Sequence, residues 1–137
     1  MNAPEAQRWL AYARSDLDAC HALLSDPQPY PRQACFLAQQ AAEKALKAIL
    51  VFLEISFPYI HDLDRVRDLI PSGWRVKTGH PDLAELTIWA VEARYPDDTP
   101  DAVETDARTA LELAEAVYQS VADELQERLN LPPATEA

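Results

Sequence analysis

Glycine is nearly missing from this chain, whose 137 residues include only Gly73 and Gly79. A glycine-rich loop that cradles phosphates with backbone N–H groups cannot be built from them. Cysteine is equally scarce: Cys20 and Cys35 lie inside apolar helical patterns and read as small buried hydrophobes rather than as a disulfide framework. The longest apolar run, Ala48 to Leu53, is far short of the about 20 residues that span a bilayer. Met1 to Glu5 lacks a basic stretch followed by an apolar one. Neither export nor a membrane anchor is expected, and the expected location is cytoplasmic. Histidine occurs three times, at His21, His61 and His80, in no Glu-x-x-His or His-Glu-x-x-His pair, so ferritin-like di-iron and zincin sites lack their ligands and no metal site is expected. Basic residues are outnumbered, 12 Lys and Arg against 23 Asp and Glu, for a formal charge of −11. Such a surface repels polyanions and argues against DNA binding, leaving only a local basic patch open.

Proline, in contrast, is plentiful, and its eleven copies fall between long periodic stretches where helices must stop. Ala6, Leu10, Ala13, Leu17, Cys20 and Leu24 step by fours and threes, which predicts an amphipathic helix ending near Asp26 and Pro27. A second helix is expected from about Gln33 to Glu54, with Ala38, Ala41, Ala45, Ile49 and Phe52 as its apolar stripe. Asp62 can cap a third, carrying Leu63, Val66, Leu69 and Ile70 as far as Pro71. Ser72 to Pro81 reads as loop. A fourth helix bearing Leu83, Leu86, Ala90 and Ala93 should end near Arg94, because Pro96 pushes Tyr95 toward extended backbone. Thr99 reads as the next N-cap with Pro100 at the first helical position, opening a helix to about Leu129 that buries Val103, Ala107, Leu111, Ala114, Tyr118, Val121 and Leu125. No strand-like alternation or internal repeat is found. The expectation is one all-α domain over residues 1–131, an up-and-down bundle of four or five helices, with a soft tail over 132–137.

Three constellations carry chemistry. On the second helix Gln40, Glu43, Lys44 and Lys47 project to one side at about 100° per residue, forming a polar band bracketed by Phe36, Leu50 and Val51. It is either a contact surface with a polar centre or a solvated face with a Glu43–Lys47 pair worth only about 0.2–0.5 kcal/mol. At Ala93-Arg94-Tyr95-Pro96-Asp97-Asp98 a guanidinium and a phenol sit beside two carboxylates. Arg94 either holds a phosphate or complements the helix end and pairs with Asp97 or Asp98. At Tyr59-Ile60-His61-Asp62-Leu63, His61 is the natural candidate for acid–base work near neutral pH, or else a hydrogen-bonding loop residue beside an N-cap.

In their order and spacing these segments, together with Ala107 to Ala116, resemble the HEPN domain family of small helical-bundle proteins, over roughly Ala6 to Leu129. The resemblance implies a homodimer with a cleft between paired helices, and pairing with a minimal nucleotidyltransferase protein in which that chemistry resides. Many HEPN relatives are metal-independent ribonucleases with an arginine followed, after about four to six residues, by a histidine. Arg94 matches the arginine, whereas Thr99, Pro100 and Asp101 stand where the histidine belongs and no histidine follows His80. Thr and Pro cannot shuttle a proton near neutral pH, and an ionised Asp repels a scissile phosphate.

The expected function is therefore a non-catalytic, homodimeric HEPN subunit of a two-component system resembling a toxin–antitoxin pair, binding a nucleotidyltransferase, a nucleotide of unknown identity, or both. Arg94, Tyr95, Lys44 and Lys47 are the candidates for nucleotide or anion binding, and Gln40, Glu43, His61, Asp62 and Asp97 for lining the cleft. No resident cofactor is expected. The alternatives are a ribonuclease with a degenerate site, using His61 as base, and a purely structural interaction bundle.

Overall fold

Asn2 starts the first helix, α1 (Ala3–Ser25), by accepting the Glu5 N–H on its side chain at 3.2 Å. The helix stops at Asp26, whose extended backbone is the conformation that the next residue, Pro27, imposes. Pro31 opens α2 (Pro31–Phe52), where its missing N–H costs nothing. The computed structural model describes residues 1–91 and 101–130.

The C-terminus of α2 redirects the chain. Glu54 takes a left-handed conformation, φ 58°, its N–H donating to Val51 O at 3.1 Å while Ile55 N–H reaches Leu50 O at 2.8 Å. This Schellman closure turns the backbone sharply. It is tied to the start of α1, since Asn2 N–H donates to Phe52 O at 3.0 Å. Residues 55–62 then run back along α2 until Asp62 caps α3 (Leu63–Asp68), accepting the N–H groups of Asp64 and Arg65.

Between 72 and 81 the structure departs from the expected loop, for Arg75–Gly79 forms a short helix, α4. Its supports are tertiary: the Glu124 carboxylate accepts the Arg75 N–H at 2.7 Å, and buried Trp74 lies under the Arg128 guanidinium, 3.8 Å from the ring centroid. The expected fourth helix is a single turn, α5 (Ala84–Thr87), running into a 3₁₀ turn over Ile88–Ala90. Leu83, Leu86 and Ala90 are buried as its stripe requires, while Ala93 and Arg94 lie outside the described residues, with Thr99 and Pro100.

The last helix, α6 (Glu104–Asn130), begins later than the Pro100 expected from its start signal. Residues 101–103 are not helical, and the Asp106 carboxylate accepts the Val103 N–H at 2.9 Å, so the cap falls at Val103, four residues beyond Thr99. Val103, expected inside, consequently lies before the first turn and is 56% exposed. Leu10 and Tyr118 are partly rather than fully buried.

The core gathers around α2, which packs against α1 on one side and α6 on another. Ala34, Ala38, Ala41, Ala42, Ala45 and Ala48 are all fully buried along it, so neighbouring helices meet its backbone closely. Cys20 and Cys35 are buried free thiols, Cys20 donating to Ala34 O at 3.3 Å. Among the described residues no strand occurs and no helix is long and apolar enough to cross a membrane.

Candidate functional site

Because the Glu54 turn folds residues 55–62 back along α2, the polar flank of that helix is roofed by its own chain. Lys47 donates to the Glu43 carboxylate at 3.0 Å and to Ile60 O at 3.2 Å. His61 Nδ1 lies 2.8 Å from the other Glu43 oxygen, which also accepts from Gln39 Nε2 at 3.2 Å. Gln39 Nε2 reaches on to His61 O at 3.1 Å, and Gln40 donates to Gln39 Oε1 at 2.7 Å. Phe57 and Tyr59 complete the roof, their ring centroids 5.3 and 5.9 Å from Lys47 Nζ.

Burial sets the character of this network. Glu43 and Lys47 are 5% and 4% exposed, and Gln39 is fully buried. Removing two charges from water costs several kcal/mol each unless every lone pair and proton finds a partner. Here the partners are present: among the described residues no buried side-chain nitrogen or oxygen lacks a hydrogen bond. The polar band is thus a contact surface, but the contact is internal. Leu50 is buried, and Phe36 and Val51 are half-buried.

His61 is the exception to enclosure, its side chain 29% exposed and the exposed Tyr59 ring set edge-on at 4.9 Å. A carboxylate only accepts, so Nδ1 carries the hydrogen in the Glu43 contact, and in the neutral imidazole Nε2 is then the acceptor. An oriented imidazole of this kind is half of a general-base arrangement. Asp62, next to it, is committed to capping α3.

Lys44 faces the other way. Its Nζ meets Asp16 of α1 at 2.6 Å, and its stem lines an open groove of about 250 Å³ with Glu5, Arg8, Trp9 and Tyr12. A second groove, of about 310 Å³, lies between α5 with its 3₁₀ turn and α6. Leu86, Ile88, Trp89, Ala110 and Leu113 make its apolar lining, with Glu85 and Asp106 among its polar residues. Ile88, lining it, is 43% exposed, as are Val91 at 61% and Val103 at 56% in the adjoining chain.

Between α1 and α6 a further ionic cluster forms. Arg14 grips Glu115 with two bonds of 3.2 and 3.0 Å, and His21 Nε2 approaches the same carboxylate at 2.9 Å. The Arg14 bonds, then His21, hold Glu115 below the ordinary carboxylate range against the opposing effect of burial. Its partners come from a different helix, and their spacing in sequence carries no signal for it.

Of the residues singled out from sequence, the structure brings together Gln40, Glu43, Lys47 and His61, and puts Lys44 in a separate groove. Arg94, Tyr95 and Asp97 lie outside the described residues. Sequence reasoning missed Gln39 and the Trp9–Tyr12 groove. Gln39 sits one residue off the polar band, and only the returning loop makes it a bridge.

Comparison with known proteins gives a consistent result. The family model described as "HEPN domain" matches residues 6–126. A crystal structure of TT1696 from Thermus thermophilus is similar, with TM-score 0.74 and 26% identity over 90% of this chain and 98% of that one. That of ST0689, described as an archaeal HEPN homologue, matches with TM-score 0.63 and 26% identity over 88% of this chain and 97% of that one. The comparison with curated protein sequences found no match.

Proposed function

The chain belongs to the HEPN domain family, and from that premise we propose that it works as a non-catalytic binding subunit: a homodimer that engages a minimal nucleotidyltransferase partner, a nucleotide, or both, within a two-component system of the toxin–antitoxin kind. The observation that carries this reading is the groove between α5 and α6, lined by Leu86, Ile88, Trp89, Ala110 and Leu113 with Ile88 43% exposed, together with Val91 and Val103, 61% and 56% exposed, near it in sequence. Exposed aliphatic side chains beside an open, partly apolar groove favour an assembly face. Two further points support the non-catalytic part. No histidine follows His80, so the arginine–histidine pair of the family's ribonucleases cannot be completed at Arg94. Lys47 has its charge answered by Glu43, and in the nucleotide-binding role its part is to hold the 55–62 loop rather than to meet the ligand directly.

The test is direct. Light scattering on the purified chain should give a dimer, which Ile88→Asp should weaken. Co-expression with the nucleotidyltransferase of a neighbouring reading frame should yield a complex, or nucleotides should raise the melting temperature. A monomer with neither a complex nor a thermal shift refutes the reading.

One observation favours a second reading, a ribonuclease with His61 as base: Nδ1 is fixed on Glu43 at 2.8 Å in a side chain that is 29% exposed. RNA cleavage by the purified protein, abolished in both His61→Ala and Arg94→Ala, would replace the first reading with this one.

A further inference from the structure

We infer that the groove between α1 and α2 is a binding site for a small planar aromatic molecule carrying an acidic group, separate from the Gln39–Glu43–Lys47–His61 network and from the α5–α6 groove. Glu5, Arg8, Trp9 and Tyr12 recur at the three- and four-residue spacing that places them on one face of α1. That face turns to Lys44 of α2, and the five side chains enclose about 250 Å³. This is just under the roughly 300 Å³ at which pockets for whole drug-sized ligands begin, a size suited to one ring system with its charged substituent left at the rim.

The walls select the ligand. Trp9 is held upright by Phe57, edge-on with the centroids 6.0 Å apart, while Tyr12 remains 58% exposed beside it. Two rings presented together offer a stacking platform for another flat ring. The cations are unequal. Lys44 is anchored to Asp16 at 2.6 Å with its side chain 27% exposed, so its charge is already answered and it serves as wall rather than as a free cation. Arg8 is 66% exposed, with partners in Tyr12 and, at 3.4 Å, Glu5, exposed contacts that an incoming carboxylate or phosphate can displace. A guanidinium gripping an anion with two parallel N–H groups fits that role. Glu5 at the same groove discriminates against a second negative group near it.

Two sources supply this chemistry, a mononucleotide and an aromatic carboxylic acid, and the test separates them. AMP, 4-coumarate and uncharged adenosine are titrated onto the full chain, following the Trp9 indole N–H by NMR alongside calorimetry. Either acidic probe should shift that resonance, and adenosine should bind about tenfold more weakly than AMP if AMP is the ligand, as loss of one charge-assisted contact implies. Arg8→Gln and Tyr12→Ala each alter an exposed residue and leave the fold intact; each should weaken the acidic probe by about tenfold. AMP binding assigns the groove to nucleotides, and 4-coumarate binding to an aromatic acid. No shift with either, or an unchanged affinity in either variant, overturns the proposal. A nucleotide that stabilises the chain without moving Trp9 also overturns it, and leaves the function proposed above standing.

Discussion

Replacing Lys47 with Met removes the cation from a carboxylate that is 5% exposed. Glu43 keeps His61 Nδ1 at 2.8 Å and Gln39 at 3.2 Å, but neither contact is an ammonium, and Ile60 O loses its donor. Breaking one partner out of a buried pair costs about 3–5 kcal/mol. Glu43→Leu should cost about the same, since it strands the Lys47 ammonium, itself 4% exposed. The double variant Glu43→Leu/Lys47→Met removes both charges together. What remains is the loss of partners at Ile60 O, at His61, which can turn to water, and at Gln39, which keeps His61 O, so about 1–3 kcal/mol is expected in total. Urea unfolding tracked by circular dichroism reads all three. Each single change should lower the midpoint by about 2 M for a slope near 2 kcal/mol/M, and the double change by less than either. Additive losses, or single losses under about 1 kcal/mol as for exposed pairs, would refute the claim that this is a buried, mutually dependent pair.

Four other outcomes are expected. Ala45→Leu forces a larger side chain into the fully buried seam of α2 and should destabilise by about 1–3 kcal/mol in the same urea assay. Glu54→Gly relieves a left-handed conformation of φ 58° and gives up only an exposed pair with the N-terminal amine, so stability should rise by about 1 kcal/mol. Glu115 is held below its ordinary 4.5, first by its hydrogen bonds from Arg14, so its contribution is complete above that value and is lost as pH falls through the lower folded one. The stability gap between the wild type and Arg14→Gln should therefore be open at neutral pH and close in acid. Burial pushes the Cys20 and Cys35 thiols up to about 11 and about 12, so neither should react with a thiol reagent at mildly alkaline pH until urea is added.

The helical stripes were legible from spacing alone. Ala6, Ala13, Leu17, Cys20 and Leu24 on α1, and Ala38, Ala41, Ala45, Ile49 and Phe52 on α2, are buried as their periodicity requires. Caps depending on a side chain one to three residues away were legible too at Asp62, while the start of α6 was not, because Thr99-Pro100 offers a start signal and Asp106 a competing one. The helix at Arg75–Gly79 is invisible locally because its supports, Glu124 and Arg128, come from α6 far along the chain.

By itself the sequence determined an all-helical chain, its core stripes, its fully buried cysteines and the four residues of a polar band on α2. Periodicity suffices for these, since a helix face is decided by neighbours three and four positions apart. Only the tertiary structure decided what that band does. A left-handed turn at Glu54 brings residues 55–62 back over it, shutting Glu43 and Lys47 from water, setting a partly exposed His61 against Glu43, and leaving Lys44 to a groove shared with α1. Which polar side chains are buried depends on what covers them, and in this protein the cover comes from a loop whose direction no repeat in the sequence encodes.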